Sequence, residues 1–126
     1  MAVKVSVSME TEHREIAEQY AEWLQNWKNT GILPARFGRD GQWELNSRTT
    51  DSNIFKLHIR LPDEAGWKKH KPQLARTSNH YLVYVIHWMD VERIQIISIM
   101  SPDAHEKAKS SFLAVLERRA EAFHNS

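Results

Sequence analysis

The sequence contains no cysteine among its 126 residues. Disulfide bonds, thiolate zinc sites and a cysteine nucleophile are therefore excluded, and a reducing compartment fits this composition. No apolar stretch approaches the length of a transmembrane helix, and the N-terminus lacks the apolar run of a signal peptide. We therefore expect a cytoplasmic protein.

Closely spaced histidines are also lacking, because none of the seven forms an H-x-H or H-x-x-x-H pair. A histidine-only metal site is therefore disfavoured, and we expect no metal or other cofactor. Repeats, low-complexity tracts and internal linkers are missing too. A length of 126 residues with 41% apolar and 26% charged residues predicts a single compact domain, spanning residues 1–126.

Positive charge is concentrated in the middle of the chain, although the formal net charge is only +1. Residues 53–80 contain six lysines and arginines, three histidines and only two acidic residues. Such a cluster on a nearly neutral protein indicates a local anionic partner. For the stretch WKKHK at 67–71, a solvated loop is the alternative interpretation.

Hydrophobic periodicity predicts an α+β domain with a small, mostly antiparallel sheet. Residues 55–61 (FKLHIRL) alternate apolar and basic side chains, which is typical of a half-buried strand. The predicted order β-α-β-β-β-α consists of strands at 3–8, 55–61, 81–89 and 93–100, and of helices at about 11–29 and from 101 onward. Residues 33–53 are predicted as a long connection.

Two details define the predicted helices. An apolar stripe on the first helix (Ile16, Tyr20, Trp23 and Trp27) indicates a core face, and Gly31 is placed to end that helix. Ser101 and Pro102 are predicted as the N-cap and first residue of the second helix.

The predicted topology gathers polar groups at one end of the sheet. The stretch DVER at 90–93 predicts a hairpin between strands 81–89 and 93–100. If strand 55–61 pairs antiparallel with strand 81–89, three regions of the chain meet. They contribute His58 and Arg60; Arg76, Thr77, Ser78 and His80; and His105 and Lys109.

Such a cluster contains the groups needed to cleave RNA without a metal. The ribose 2′-OH must lose a proton as it attacks phosphorus, and the leaving 5′ oxygen must gain one; histidine performs either transfer near neutral pH. Fixed Arg and Lys side chains stabilise the charge that develops on the phosphate. Less specific roles remain open: Arg76 as partner of a carboxylate, and Thr77 and Ser78 as turn residues.

The chain resembles the YafO family of bacterial type II toxins over most of its length. The resemblance is carried by GILPARFGRD at 31–40, HIRL at 58–61, QLARTSNHYLVY at 73–84, IISIMSPDAHEKAK at 96–109 and AEAF at 120–123. It implies a RelE-like fold and a ribosome-dependent mRNA interferase that inhibits translation until a cognate antitoxin neutralises it. It also implies active-site roles for His58, Arg76, Thr77 and His105. Arg60 and Lys109 depart from the family pattern, which has a histidine and an arginine there.

The leading hypothesis is therefore an endoribonuclease whose catalytic residues are His58, Arg76 and His105. One histidine would abstract the 2′ proton, the other would protonate the leaving oxygen, and Arg76 would contact the phosphate with Arg60. The predicted RNA-binding residues are Lys56, Arg60, Lys68, Lys69, Thr77, Ser78, His80 and Lys109.

Two other functions remain open at this point. One is a non-catalytic protein that inhibits translation by binding the ribosome or RNA, and the other is a metal-dependent nuclease. For FGRD at 37–40, a role in shaping the connection is favoured over contact with ribosome or antitoxin.

Overall fold

The computed structural model describes residues 2–43, 52–102, 104–107 and 111–126. Within these ranges, none of the helices combines the length and the apolar character needed to cross a bilayer. The strands are β1 (Lys4–Val7), β2 (Phe37–Gln42), β3 (Ile54–Ile59), β4 (Tyr81–Ile86) and β5 (Arg93–Met100). The helices are α1 (Arg14–Thr30), α2 (Ala104–Lys107) and α3 (Phe112–His124), with a 3₁₀ turn at Gln73–Ala75.

The described strands form one mixed sheet in the order β1-β5-β4-β3-β2. Strand β1 pairs parallel to β5, and the other neighbouring strands pair antiparallel. Strand β4 is the central strand and β5 adjoins it, between β4 and β1, which explains why their sequences are almost continuously apolar. The predicted α+β class, the hairpin and the antiparallel pairing of β3 with β4 are confirmed.

Helix α1 covers one face of the sheet. Tyr20 and Leu24 are buried against it, and Trp23 and Trp27 pack around the same cluster. Gly31 ends the helix in the left-handed conformation at φ 78°, and its N–H donates to the carbonyl of Trp27 at 2.7 Å. The predicted core stripe and helix end are therefore confirmed.

Helix α3 covers part of the opposite face, through buried Leu116, Ala120 and Phe123. An ion pair fixes this helix to the segment before α1. Arg119 is 8% exposed and donates two hydrogen bonds to the Glu12 carboxylate, at 2.8 and 2.9 Å. Arg119 also donates to the carbonyl of Ile97 at 2.8 Å. Helix α3 is thereby joined to the N-terminal segment and to β5.

The predicted connection at 33–53 was wrong in one respect, because residues Phe37–Gln42 form strand β2. Two glycines, an aspartate and a register shift between Phe37 and Asp40 obscure the alternation that marks a strand. Gly38 is needed where it lies, because a Cβ there would overlap the backbone carbonyl of Arg76 and the Trp67 ring. Gly38 of the FGRD stretch thus allows β2 to approach the Arg76 backbone closely.

Asp40 is held by partners far away in the sequence. Both carboxylate oxygens accept from the Tyr84 hydroxyl, at 2.8 and 3.0 Å, and the Lys28 ammonium lies 3.8 Å away. Burial raises the pKa of Asp40, although Lys28 and Tyr84 oppose the shift. Burial, together with the neighbouring Asp40 charge, also raises the pKa of Tyr84. The contacts with Tyr84 and Lys28 therefore hold this carboxylate at the edge of the sheet.

Replacing Tyr84 by phenylalanine removes this hydroxyl while keeping the ring, which stacks on Phe55 at 5.2 Å. We expect Tyr84→Phe to lower the free energy of unfolding by about 1–2 kcal/mol, because the largely buried Asp40 carboxylate loses one of its donors. Urea unfolding with an unchanged m-value measures this. A change of less than about 0.5 kcal/mol would show that Asp40 is solvated in another way.

The predicted start of the C-terminal helix, with Ser101 as its N-cap, was also wrong. The helix begins at Ala104, so Pro102 is not its first residue. The Ser101 hydroxyl bonds to Nδ1 of His80 at 2.7 Å, and the Ala104 N–H donates to the carbonyl of Asn79. Tertiary partners thus use the groups that a cap would have used.

The free edge of β1 is covered by side-chain amides of α1. The N–H groups of Val3 and Val5 donate to Asn29 Oδ1 at 2.8 Å and to Gln25 Oε1 at 3.0 Å. Asn29 also donates to the carbonyl of Val3. These bonds satisfy edge groups that would otherwise pair with another strand.

Candidate functional site

A cleft of about 640 Å³ opens on the sheet face that α3 covers in part. Ile54, Lys56 and His58 occupy every second position of β3, and Ile54 belongs to the core beneath α3. The three side chains therefore share one face. The cleft is lined by Arg39, Asp40, Gly41, Gln42, Lys56, His58, Leu74, Thr77 and Tyr81.

His58 is buried at one wall of this cleft and held in one orientation. Its Nδ1 accepts a hydrogen bond from the Ser78 backbone N–H at 2.9 Å. The same Nδ1 lies 3.2 Å from the Ser78 carbonyl oxygen, to which it donates when it carries the proton. The Ser78 backbone therefore holds the ring in either state, and an accepting Nδ1 corresponds to a neutral ring with its hydrogen on Nε2. The ring also packs edge-on against Tyr81, its direct partner in β4, at a centroid distance of 4.8 Å. The imidazole is therefore pre-oriented.

Lys56 lies two residues before His58 on the same face. Its ammonium lies over the rings of Tyr81 and Trp43, with 5.2 and 5.4 Å to the centroids. Burial lowers the pKa of Lys56, and the positive charge of Arg39 lowers it further. The amine therefore loses a proton more readily than an ordinary lysine does.

Arg76, predicted to be catalytic, does not line the cleft, and its guanidinium points into carbonyl groups. The side chain is 4% exposed. Nη1 donates to the carbonyl of Phe37 at 3.1 Å, and Nε donates to that of Lys71 at 3.0 Å. Nη2 reaches the carbonyls of Lys68 and Lys69 at 3.3 and 3.4 Å. The guanidinium thus ties the basic loop, residues 68–71, to the start of β2.

The side chains of Lys68 and Lys69 are exposed, while their carbonyls serve Arg76. The loop therefore presents cations outward from a backbone fixed from within. Thr77, the residue after Arg76, lines the cleft. Ser78 supports the site from behind: its hydroxyl lies 2.8 Å from the carbonyl of Ile59 and 2.9 Å from that of His80.

Two of the predicted residues face other surroundings. Arg60 follows the end of β3, and its guanidinium lies over the Trp67 ring at 4.8 Å from the centroid. His80 bonds to Ser101 through Nδ1, and its Nε2 lies 3.7 Å from Glu64. Neither side chain lines the cleft. Lys109 lies outside the described residues, as does the side chain of His105.

The cleft also contains six residues that were not predicted as site residues from the sequence: Arg39, Asp40, Gly41, Gln42, Leu74 and Tyr81. Tyr81 could have been found from the predicted antiparallel pairing, because that register sets it opposite His58. Arg39 and Gln42 could not, since β2 itself was not predicted. Burial raises the pKa of Tyr81, so its hydroxyl stays protonated at neutral pH.

A family model described as Toxin YafO, type II toxin–antitoxin system, matches residues 25–125. The match covers every strand of the sheet except β1 and includes all residues that line the cleft. No curated protein and no solved structure matches the chain.

Proposed function

Because the chain belongs to the YafO toxin family of type II toxin–antitoxin systems, which implies an antitoxin partner, we propose that it is a ribosome-dependent endoribonuclease. Its substrate is mRNA, and its action inhibits translation. The observation that supports this most directly is the cleft, where an oriented imidazole and a partly desolvated amine lie on one strand face.

The proposed reaction needs only groups of RNA and of the protein. The ribose 2′ oxygen attacks the adjacent phosphorus and gives its proton to a base, forming the 2′-O–P bond. The P–O5′ bond then breaks, and an acid supplies a proton to the 5′ oxygen. The products are a 2′,3′-cyclic phosphate and a 5′-hydroxyl end. RNA itself provides the nucleophile, so no activated Ser or Cys is required.

His58 is the first proton-transfer group in this proposal. Because Nδ1 is engaged by the N–H and the carbonyl of Ser78, Nε2 is the ring atom that we propose to exchange a proton with RNA. The edge-on contact with Tyr81 restricts rotation of the ring. A fixed geometry of this kind is what general acid–base catalysis requires. His105, whose side chain lies outside the described residues, remains the predicted second group.

Lys56 lies near His58 and contributes positive charge to the bound phosphate, together with Arg39 from β2. Phosphate contacts farther along the RNA would come from exposed Lys68 and Lys69. Arg76, predicted from sequence to touch the phosphate, supports this surface through the backbone bonds that fix the loop.

We also propose that Lys56, whose pKa is lowered, exchanges a proton during cleavage. Lys56→Arg is therefore expected to slow cleavage by about 10²-fold while the affinity for RNA stays near that of the wild type. Arginine keeps the charge but does not deprotonate in proteins. The wild-type pH–rate profile should then show an inflection, below the ordinary lysine pKa, that the variant lacks. Lys4→Ala, on exposed β1, is the matched control. A fully active Lys56→Arg would restrict Lys56 to electrostatic stabilisation.

The function is tested with purified protein, a defined mRNA and ribosomes, with a parallel reaction lacking ribosomes. New RNA ends are mapped by primer extension and labelled by polynucleotide kinase without prior phosphatase treatment, which detects 5′-hydroxyl ends. We expect such ends only when ribosomes are present. Translation that stops without any new end would instead establish a non-catalytic inhibitor.

The antitoxin is proposed to cover the cleft and the basic loop. An acidic, partly disordered segment is the natural complement of this surface. The expected result is that the antitoxin protects the cleft residues from hydrogen exchange and abolishes cleavage. Full inhibition without protection of the cleft would place the antitoxin elsewhere.

A further inference from the structure

We propose that Leu74 forms a nucleobase subsite beside the cleavage site, and that Arg76 is the positioning residue that holds Leu74 there. The proposal rests on the proposed function, since it assigns a substrate contact to the same cleft. Its ligand is the flat face of an unstacked base in single-stranded RNA.

The segment that contains Leu74 is fastened to strand β2 at several points. Gln73 Nε2 donates to the carbonyl of Gly38 at 2.8 Å, and the N–H of Arg39 donates to the carbonyl of Arg76 at 2.8 Å. The close approach at Gly38 leaves no room for a Cβ between the two segments. The 3₁₀ turn at Gln73–Ala75 is therefore held against the sheet edge.

Arg76 extends this fastening into the basic loop, since its buried guanidinium bonds to carbonyls on both sides. An Arg fork fits several carbonyls at once, which a lysine ammonium at the same place does not reproduce. The position of Leu74 is thus set by bonds that do not involve its own side chain.

Leu74 itself is 71% exposed although its backbone is held in place. It lies at the wall of a cleft whose other lining groups are mostly polar or charged. A fixed apolar side chain in water stabilises the free protein little, but it offers a surface to an apolar ligand. The neighbouring cations Lys56 and Arg39 attract a phosphate chain.

The exposed apolar side chain of Leu74 and the nearby cations together indicate the class of ligand. A nucleotide in single-stranded RNA combines a charged phosphate with a base whose flat face is apolar. The phosphate would lie by Lys56 and His58, and the attached base would pack against Leu74. A purine offers a larger face than a pyrimidine, so removing most of the leucine side chain should weaken cleavage next to purines more than next to pyrimidines.

The test maps cleavage ends on a mixture of mRNAs for the wild type, Leu74→Ala and Leu74→Met, with Ile32→Ala as control. Ile32 is 69% exposed and lies outside the cleft. We expect Leu74→Ala to change the base preference at one fixed position by about fivefold or more, and Leu74→Met to restore it. Ile32→Ala should keep the wild-type pattern.

Wild-type rate and preference in Leu74→Ala would overturn the subsite. If that variant also escaped the antitoxin, Leu74 would be a protein contact instead. An inactive wild type in the same assay would refute the proposed function rather than the subsite.

Arg76→Lys tests the positioning role separately. We expect the same altered base preference as in Leu74→Ala, together with faster proteolysis within residues 68–71, because the loop loses its internal bonds. Uniformly slower cleavage with unchanged preference and unchanged proteolysis would overturn this role and return Arg76 to direct phosphate contact.

Discussion

Replacing His58 by alanine is expected to slow mRNA cleavage by about 10²–10⁴-fold, the usual contribution of a positioned acid or base. His58→Asn should lose as much activity, although its amide oxygen can still accept the hydrogen bond from Ser78. The pair of variants separates proton transfer from support of the 76–80 segment. The measurement is the single-turnover rate of cleavage on programmed ribosomes.

Both His58 variants must keep a cooperative thermal transition for this comparison to hold. If His58→Asn cleaves within about threefold of the wild type, proton transfer belongs to another group and His58 only orients the wall of the cleft. If His58→Asn is active while His58→Ala is not, the bond to Ser78 is the part that matters.

The largest effect on stability is expected for Arg119, which is 8% exposed and bonds to Glu12 and Ile97. Removing one member of a buried ion pair typically costs about 3–5 kcal/mol. Glu12 is partly exposed, so we expect about 3 kcal/mol for Arg119→Ala, or a melting temperature lower by about 10 °C. Calorimetry measures both.

The neighbouring Arg118 provides the control. It is 68% exposed and lies 3.8 Å from Glu10. We expect Arg118→Ala to change stability by less than about 0.5 kcal/mol. Equal effects of the two substitutions would show that net charge, rather than the bonds to Glu12, decides the outcome.

The same ion pair predicts how stability varies with pH. Burial alone would raise the pKa of Glu12, but hydrogen bonds from Arg119 and Ser98 outweigh it and lower the pKa. The folded state therefore holds this proton less tightly than the unfolded state. The contribution is complete above the ordinary carboxyl pKa and is lost as pH falls through the lowered folded value. Arg119→Ala should weaken this acid-side loss.

The sequence was sufficient for elements with strong periodicity. The stripe on α1 and the apolar runs of β4 and β5 arise because those residues meet a core, and burial leaves a regular pattern. Strand β2 left no such pattern, because Gly38 and Asp40 serve contacts with Arg76 and Tyr84. Those partners are known only once the chain is folded.

The candidate site, like the fold, could be predicted from the sequence only in part. Alternation along β3 placed Lys56 and His58 together, and the hairpin brought Thr77 beside them. Neither signal reveals the direction of a long side chain. Three predicted residues lie close in sequence to β3 or β4 but contact groups outside the cleft. Arg76 donates to backbone carbonyls, Arg60 lies over the Trp67 ring, and His80 bonds to Ser101. Competition among such partners is decided by tertiary packing.

The parallel pairing of β1 with β5 also bears on how the chain folds during synthesis. Lys4 aligns with Arg93, so the first strand meets its neighbour only after roughly ninety further residues have been made. Until then α1 has only part of the surface that it finally covers. A nascent chain interrupted before β5 would therefore lack the strand that joins β1 to β4, and the sheet should be completed late, near the end of translation.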